Sequence, residues 1–285
     1  MATDSDNSWT DAAAVDAHTY SAWTYDYFYK RLDRKGLNDN NSMVRNVVHT
    51  VNRSDLEYYI ATGLINYVQN YYTNAAYYLG QGLMMFGEGL PTGWTYGGQY
   101  YNYLAGGLDL VAHEFAHGVS DFSSHLATSG EPRSLSEAFS DMMGTSVEFS
   151  YRPSRANYVI GDDVITGGIR SLSDPASKGG GIDHYSKRRV GSGSEYPNST
   201  IASHAFYLAI EGGTNRTSGR TVQGVGSSNR EQIEKVFYRG FTSLTPQSTF
   251  GQARARTIDS ARTPYGTGSA AERAVTQAWD AVGVF

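Results

Sequence analysis

Two histidines four residues apart, with a glutamate directly after the first, form the segment HEFAH at positions 113–117. On an α-helix, residues i and i+4 project from one face one turn apart, so the imidazoles of His113 and His117 can reach one ion. Glu114 is rotated about 100° from His113, which places its carboxylate beside the ion and not on it. A general base for metal-assisted hydrolysis must stand there, so the segment predicts a catalytic metal helix.

A catalytic zinc site needs a third protein ligand and leaves its fourth position open. Glu137 is our candidate because it lies on the next predicted helix, and Asp141 follows one turn later on the same face. If the two helices pack together, Glu137 completes the ligand set and Asp141 accepts the N–H of a ligand histidine. A bare HExxH segment also arises by chance, but the added carboxylate pair at helical spacing favours a real site.

The composition restricts the remaining choices. The 285 residues have a net charge of -5 and no cysteine, which excludes thiolate ligands and offers no basic surface for nucleic acid. The apolar runs are far shorter than the ~20 residues of a membrane helix, and the chain starts without a basic or apolar signal segment. We therefore expect a soluble monomer without nucleic-acid or membrane partners.

The elements that position the metal residues fall into two halves. The segment from Ala12 to about Leu32 has helical spacing, and the stretch that follows is rich in glycine and tyrosine, with short candidate strands at Met43–Val51 and Gly82–Gly89. Many of the 22 tyrosines lie between Tyr58 and Tyr103, a tract that favours loops and short strands. From Leu108 onward helices dominate.

The predicted fold class is therefore α+β. We expect an irregular, β-containing N-terminal lobe over residues 1–107 and a mainly α-helical C-terminal lobe over residues 108–285, with the zinc cleft between them. The zinc helix at 108–122 lies at the junction of the lobes. Asn229 and Thr249 are the predicted N-caps of two later helices.

Several sequence blocks resemble those of the thermolysin-like neutral metallopeptidases. A metzincin is excluded because Ser120 and Ser123 stand where its glycine and third histidine belong. HEFAHGVSDF is followed, in the family's order, by SLSEAFSDMMGTSVEF, IGDDV, RSLSDP, DHYSKR and NSTIASHAFYL. The resemblance implies a zinc endopeptidase in which Glu114 is the base, Asp141 supports a ligand, and the zinc ligands are His113, His117 and Glu137.

The resemblance also implies how an extended protein or peptide substrate is held. Asn74 and the backbone of Ala75 match the family's edge strand, where main-chain hydrogen bonds hold the peptide. Four apolar residues match the pocket for the side chain just after the cleaved bond: Leu110, Ile160, Val164 and Ile169. Their medium size predicts a preference for Leu, Phe, Ile or Val at that substrate position.

The oxyanion site departs from the family's pattern. Tyr196 stands where the family has a histidine, and Thr128 falls near the place of its oxyanion tyrosine. Because a phenol O–H can donate a hydrogen bond, we hypothesise that Tyr196, helped by Arg170, stabilises the oxyanion. The alternative is that Tyr196 is a surface residue on a glycine-rich loop and points away from the zinc.

Two other functions stay open. A zinc exopeptidase would need acidic residues that fix a substrate amino terminus, and no such motif is found. A pseudoprotease that binds zinc and peptides without cutting is suggested by the lost histidine, although the intact Glu114 argues against it.

The resemblance further implies one structural calcium ion. Its matched ligands are all oxygen donors, as a hard cation requires: Asp109, Glu148, Asn157, the carbonyl of Val159, and Asp162. Arg155 stands where a ligand of the family's second calcium is expected.

Secretion is also implied by the family. The β-hairpins that the family has at its N-terminus are not found before Ala14, and three interpretations stay open: a trimmed chain, a shortened lineage or part of a nicked chain. A tyrosine-rich insertion lies roughly between Val51 and Tyr72.

Overall fold

The computed structural model describes residues 8–285, and its elements confirm the α+β fold class. The helices are α1 (Ala12–Leu32), α2 (Leu56–Ala61), α3 (Ile65–Tyr67), α4 (Leu108–Asp121), α5 (Gly130–Tyr151), α6 (Glu195–Glu211), α7 (Arg230–Thr242), α8 (Phe250–Tyr265) and α9 (Ala270–Ala281). The strands are β1 (Arg45–Val47), β2 (Ala75–Tyr78), β3 (Leu83–Phe86), β4 (Val159–Ile160), β5 (Arg170–Ser171), β6 (Gly213–Thr214) and β7 (Thr221–Val222).

A three-stranded sheet in the order β1-β3-β2 forms the centre of the N-terminal half. Strand β1 runs parallel to β3, and β2 runs antiparallel to β3 with Ala75 opposite Phe86. Strand β2 is therefore an edge strand, whose outer backbone groups are available to another extended chain.

The first helix joins this half to the helical half. Its N-terminus is capped by the Asp11 carboxylate, which accepts hydrogen bonds from the Ala13 and Ala14 amides. The ring of Phe28 packs 5.4 Å from that of Phe115 on α4, and the Tyr27 hydroxyl donates to Glu234 on α7 at 2.9 Å. These contacts bury one face of α1 against the zinc helix.

Helices α4 and α5 approach each other closely at one glycine. A Cβ atom added to Gly144 of α5 would lie 2.5 Å from the carbonyl oxygen of Asp109 on α4. Any larger residue at position 144 would therefore push the helices apart. This contact fixes the relative positions of the HEFAH segment and Glu137.

Two of the expected elements need correction. Residues of the tyrosine-rich insertion form α2, α3 and a π-helical turn at Val68–Tyr72, and not loops and short strands. The helical turns let the tyrosines stack on one another, with Tyr59 and Tyr67 at 5.0 Å between ring centroids.

The second correction concerns the glycine-rich loop that was the alternative location of Tyr196, because α6 already begins at Glu195. Pro197 does not prevent this because proline is tolerated in the first helical turn. Tyr196 therefore lies in the first turn of a helix and not on a glycine-rich loop. At the other predicted starts, Thr249 forms a capping box with Gln252, whereas the side chain of Asn229 makes no capping hydrogen bond.

None of the helices within residues 8–285 combines the length and apolar character needed to cross a membrane. The division into lobes at residues 107 and 108 stays a prediction.

Candidate metal centre

Three side chains from α4 and α5 converge at the predicted metal site. Nε2 of His113 lies 3.0 Å from Nε2 of His117, and each of these nitrogens lies 3.5 Å from a different oxygen of Glu137. All three residues are buried. Within residues 8–285, this is the one group of three or more such side chains whose donor atoms are close enough to share an ion.

The donor set fits zinc. Two imidazoles and one carboxylate form the three-ligand set of catalytic zinc sites, which leaves one coordination position open. Glu137 Oε1 and His113 Nδ1 are buried and have no well-aligned hydrogen-bond partner in the described part of the chain. Nη2 of Arg133 lies 2.5 Å from the first of these atoms, and a metal ion between the ligands would also neutralise it.

Asp141 lies behind His113 and joins it to Arg170. Its Oδ1 is 2.9 Å from His113 Nδ1, and its two oxygens accept hydrogen bonds of 2.7 Å from Nε and Nη2 of Arg170. On the other ligand, His117 Nδ1 lies 3.1 Å from the Ser136 hydroxyl. Both histidines are thus held through the nitrogen that faces away from Glu137.

The electrostatics of the site favour a positive charge between the ligands. Burial alone would lower the pKa of His113, but Asp141 and Glu137 outweigh it and raise the pKa to about 10. Burial would raise the pKa of Glu137, yet His117 and His113 hold it well below its usual range. The carboxylates therefore create a negative environment that a metal cation can neutralise.

The ligands form the floor of a cleft of about 680 Å³. Glu114 borders this cleft, as a base acting on a substrate must. Asn74 and Ala75 border it from the edge strand β2. The other lining residues are Thr73, Ala76, Tyr77, Leu79, Tyr101, Leu104, Leu110, His113, His117, Thr128, Arg133, Glu137, Ile165, Ile169, Arg170 and Tyr196.

Two of the four residues predicted to form the side-chain pocket line this cleft. Leu110 and Ile169 line the cleft, but Ile160 and Val164 do not. Ile160 lies on β4 and is fully buried in the core, and Val164 is buried where its methyl groups pack against the chain before α4. Ile165, the neighbour of Val164, also lines the cleft.

Tyr196 lines the cleft that contains the predicted metal residues. The residue is 48% exposed, and its ring centroid is 5.9 Å from Cζ of Arg170. His204 does not take the place of the family's histidine because it is buried, with Nδ1 2.8 Å from the carbonyl oxygen of Leu172.

Sequence reasoning missed Arg133, which also lines the cleft. Its Nη2 atom lies 2.5 Å from Oε1 of Glu137. The spacing of the two residues could have indicated it, because Arg133 precedes Glu137 by one helical turn and so shares its face of α5. No positively charged side chain was predicted to lie against a metal ligand.

The predicted calcium residues lie near one another at the ends of α4 and α5. Asp109 accepts hydrogen bonds from the Gly161 amide at 2.5 Å and the Leu110 amide at 2.8 Å, while Asn157 donates to Asp162 at 2.8 Å. Burial and the neighbouring acidic groups raise the pKa of Asp109 to about 7 and that of Glu148 to about 8.

Two arginines lie close to the predicted calcium residues. Arg155 and Arg152 both pair with Asp163, at 2.7 and 2.8 Å. Val159, whose backbone carbonyl is one of the predicted calcium ligands, donates its backbone N–H to the side-chain oxygen of Asn157 at 2.6 Å.

Comparison with known proteins gives matches along the whole chain. The thermolysin metallopeptidase catalytic domain matches residues 1–121, and the thermolysin metallopeptidase alpha-helical domain matches residues 124–284. The chain is 37% identical over 295 residues to the thermostable neutral protease NprT of Geobacillus stearothermophilus, covering 99% of this chain and 48% of that protein. It is 38% identical over 287 residues to bacillolysin of Bacillus cereus, covering 98% and 45%.

The chain thus spans about half the length of the curated relatives it matches. Among solved structures, the precursor of protealysin, a metalloproteinase from Serratia proteamaculans, is similar with a TM-score of 0.75 over 100% of this chain and 82% of that one. The sequence identity there is 22%, so this likeness supports the fold alone. From the two matches that together cover residues 1–121 and 124–284, the chain belongs to the thermolysin metallopeptidase family.

Proposed function

We propose that this protein is a zinc-dependent endopeptidase that cleaves peptide bonds on the N-terminal side of hydrophobic residues. The observation that carries the proposal is the convergence of His113, His117 and Glu137 at the floor of a cleft, with Glu114 beside them. Family membership supports it, because the related NprT of Geobacillus stearothermophilus is named as a neutral protease.

In the proposed reaction, Glu114 accepts a proton from a water molecule whose oxygen attacks the scissile carbonyl carbon. His113, His117 and Glu137 would hold the zinc ion, which when bound supplies Lewis acidity to the water and the carbonyl. The C–N bond then breaks, and Glu114 delivers the proton to the leaving nitrogen. The proton of the remaining hydroxyl also passes to the leaving amine, so the products are a carboxylate and an ammonium group, and no covalent bond to the protein is formed.

We assign the stabilisation of the oxyanion to Tyr196 as a neutral donor, with Arg170 nearby. The position of Tyr196 in the cleft supports this role. Arg170 contributes chiefly through its charge, since Nε and Nη2 are already bonded to Asp141.

The substrate is held in an extended conformation along the edge strand. Asn74 and Ala75 border the cleft at the start of β2, where main-chain hydrogen bonds to a peptide can continue the sheet. Leu110, Ile165 and Ile169 supply an apolar wall, which supports a preference for Leu, Phe, Ile or Val after the cleaved bond.

One calcium ion is part of the proposal, held by Asp109, Glu148, Asn157, the carbonyl of Val159 and Asp162. The raised carboxyl pKa values of Asp109 and Glu148 support it, because uncompensated buried acids favour a bound cation. Secretion and a monomeric state stay predictions from the family and the composition.

Hydrolysis of a quenched fluorescent peptide with Leu after the scissile bond tests the proposed activity. The zinc-loaded wild type should cleave it, and Glu114→Gln should lose nearly all activity while keeping its zinc. Tyr196→Phe should lose about 10²–10³ in rate if its hydroxyl is an oxyanion donor. Exposed residues give the matched controls Glu57→Gln and Tyr58→Phe, which should not change the rate.

A zinc-loaded but inert wild type would refute the endopeptidase and favour the peptide-binding pseudoprotease. An unchanged rate in Tyr196→Phe would remove Tyr196 from the mechanism and leave the endopeptidase standing.

A further inference from the structure

We propose that Arg133 is a catalytic residue that stabilises the oxyanion together with Tyr196. The proposal rests on the endopeptidase activity proposed above. It adds a residue to which the family resemblance assigns no role.

The position of Arg133 is fixed by the zinc ligands. It lies on α5 one turn before Glu137, and its Nη2 atom is 2.5 Å from Glu137 Oε1. That same oxygen lies 3.5 Å from Nε2 of His117. The guanidinium therefore stands beside the ligand group and also borders the cleft, where its side chain is 28% exposed.

Two guanidinium groups flank the Glu137 carboxylate, and they differ in how their charge is balanced. Arg170 forms a two-point ion pair with Asp141 and reaches Glu137 Oε2 only at 3.9 Å. Within residues 8–285, Arg133 has an ion pair with Glu137 alone, and Glu137 is the carboxylate that a metal would share. Arg133 is thus the cation of the cleft that is best able to compensate new negative charge.

The neighbours of Arg133 also stabilise its charged form. Burial opposes its charge, but Glu137, Tyr196 and Glu114 outweigh this and raise the pKa of the guanidinium. The charged donor Arg133 and the phenol donor Tyr196 line the same cleft. A guanidinium has five N–H groups, so the contact with Glu137 leaves others to face the cleft.

Arg133 and Tyr196 together explain how the oxyanion can be stabilised without the family's histidine. Oxyanion sites use donors that are already oriented where negative charge develops, and they act strongly where water is excluded. Tyr196 alone is a neutral donor on a half-exposed ring, whereas Arg133 adds a permanent positive charge from the partly buried side of the cleft. The role of the histidine is thus divided between two residues from α5 and α6.

Kinetics of Arg133→Gln and Arg133→Lys on the quenched peptide provide the first test. Arg133→Gln should lower kcat by about 10²–10³ and leave KM within a few-fold, since the contact forms chiefly in the transition state. Arg133→Lys should recover part of the loss because it keeps the charge. Arg216→Gln, which removes an exposed arginine paired with Asp174, is the matched control and should keep full activity.

A second readout does not depend on turnover. Two inhibitors of the same sequence are compared on zinc-loaded protein: a phosphonamidate peptide, whose anionic tetrahedral group resembles the transition state, and an uncharged analogue that cannot be cleaved. Arg133→Gln should weaken the first by more than about 100-fold and the second by less than about threefold. Zinc affinity, measured by competition with a chelator, should stay within a few-fold of the wild type.

Equal weakening of both inhibitors, or a zinc affinity loss that accounts for the lost activity, would overturn the proposal and make Arg133 a structural partner of Glu137. An active wild type with unchanged Arg133→Gln activity would overturn the role of Arg133 but not the endopeptidase. An inert zinc-loaded wild type would overturn both.

Discussion

Asp141 and His113 face each other across the α4–α5 contact, with Asp141 Oδ1 2.9 Å from His113 Nδ1. The carboxylate is fully buried and carries a low pKa, because Arg170 and His113 outweigh its burial. An ionised carboxylate at Nδ1 orients the ring so that Nε2 points toward Glu137. One residue thus joins the metal ligand to a buried guanidinium.

Replacement of Asp141 by Asn should weaken zinc binding by about 10–100-fold, because His113 loses the charge that orients it. The change also leaves Arg170 without its buried partner, which should cost about 3–5 kcal/mol of unfolding free energy. Chelator competition and urea unfolding measure the two effects separately. Asp259→Asn, at an exposed residue of α8, is the control, and an unchanged zinc affinity in Asp141→Asn would contradict the orienting role.

Replacement of Gly144 by Ala should separate the two zinc helices. The new methyl carbon would lie 2.5 Å from the Asp109 carbonyl oxygen, so the backbone must shift, at a cost of about 1–3 kcal/mol. Zinc affinity should fall as well, because the HEFAH segment and Glu137 lie on opposite sides of this contact. Gly251→Ala in the first turn of α8 meets no atom closer than 3.8 Å and should keep wild-type stability and zinc binding. A wild-type melting curve for Gly144→Ala would show that α4 and α5 are not held at this point.

The grouping of His113 and His117 could be predicted from the sequence because helical spacing alone places both imidazoles on one face of α4. Glu137 required only that two neighbouring helices pack. Arg133 was missed because its importance depends on a contact between side chains, which spacing does not reveal. The roles of Ile160 and Val164 stay predictions, because a family resemblance assigns positions, whereas side-chain direction depends on the packing of this particular loop.

The start of α6 shows a different limit. Glycines at 191 and 193 and a proline at 197 are typical of a loop, yet α6, which packs against α5, already begins at Glu195. The tyrosine-rich insertion is also helical where loops were expected. Stacking among its aromatic rings outweighs the intrinsic preference of tyrosine for strands.

Calcium should change how stability depends on pH. In the metal-free protein the folded pKa values of Asp109 and Glu148 are raised, to about 7 and about 8, above the ordinary carboxyl values near ~4. The folded state then binds more protons than the unfolded state in this window, so the unfolding free energy should fall as pH rises from ~4 to ~8.

Excess calcium at constant zinc should remove that fall, since the ion compensates the ionised carboxylates. Thermal melts from pH 5 to pH 8.5 with and without calcium measure the effect. Asp109→Asn should abolish the calcium response, whereas Asp259→Asn should keep it. Identical melting temperatures with and without calcium at pH 8.5 would show that no ion binds there.

His49 should make a second pH-dependent contribution to the free energy of unfolding, near the start of α1. Its Nδ1 lies 2.9 Å from Glu88 and its Nε2 lies 2.9 Å from Asp11, the N-cap of α1. Arg53 also stands 3.8 Å from Glu88. The hydrogen bond to Asp11 raises the pKa of His49 despite partial burial, and Glu88 adds to the rise.

Because the folded pKa of His49 is raised, its stabilisation is fully present below its unfolded pKa near ~6.5 and is lost as pH rises through the folded value. His49 has a left-handed backbone with φ of 56°, so Asn is the suitable replacement. His49→Asn should lower the unfolding free energy at pH 5.5 by less than about 1 kcal/mol, because these groups are half-exposed, and by less still at pH 9. His18→Asn on the exposed side of α1 should show no such difference. An equal loss at both pH values would mean that His49 acts by packing, and not through the charge that links the start of α1 to the loop after β3.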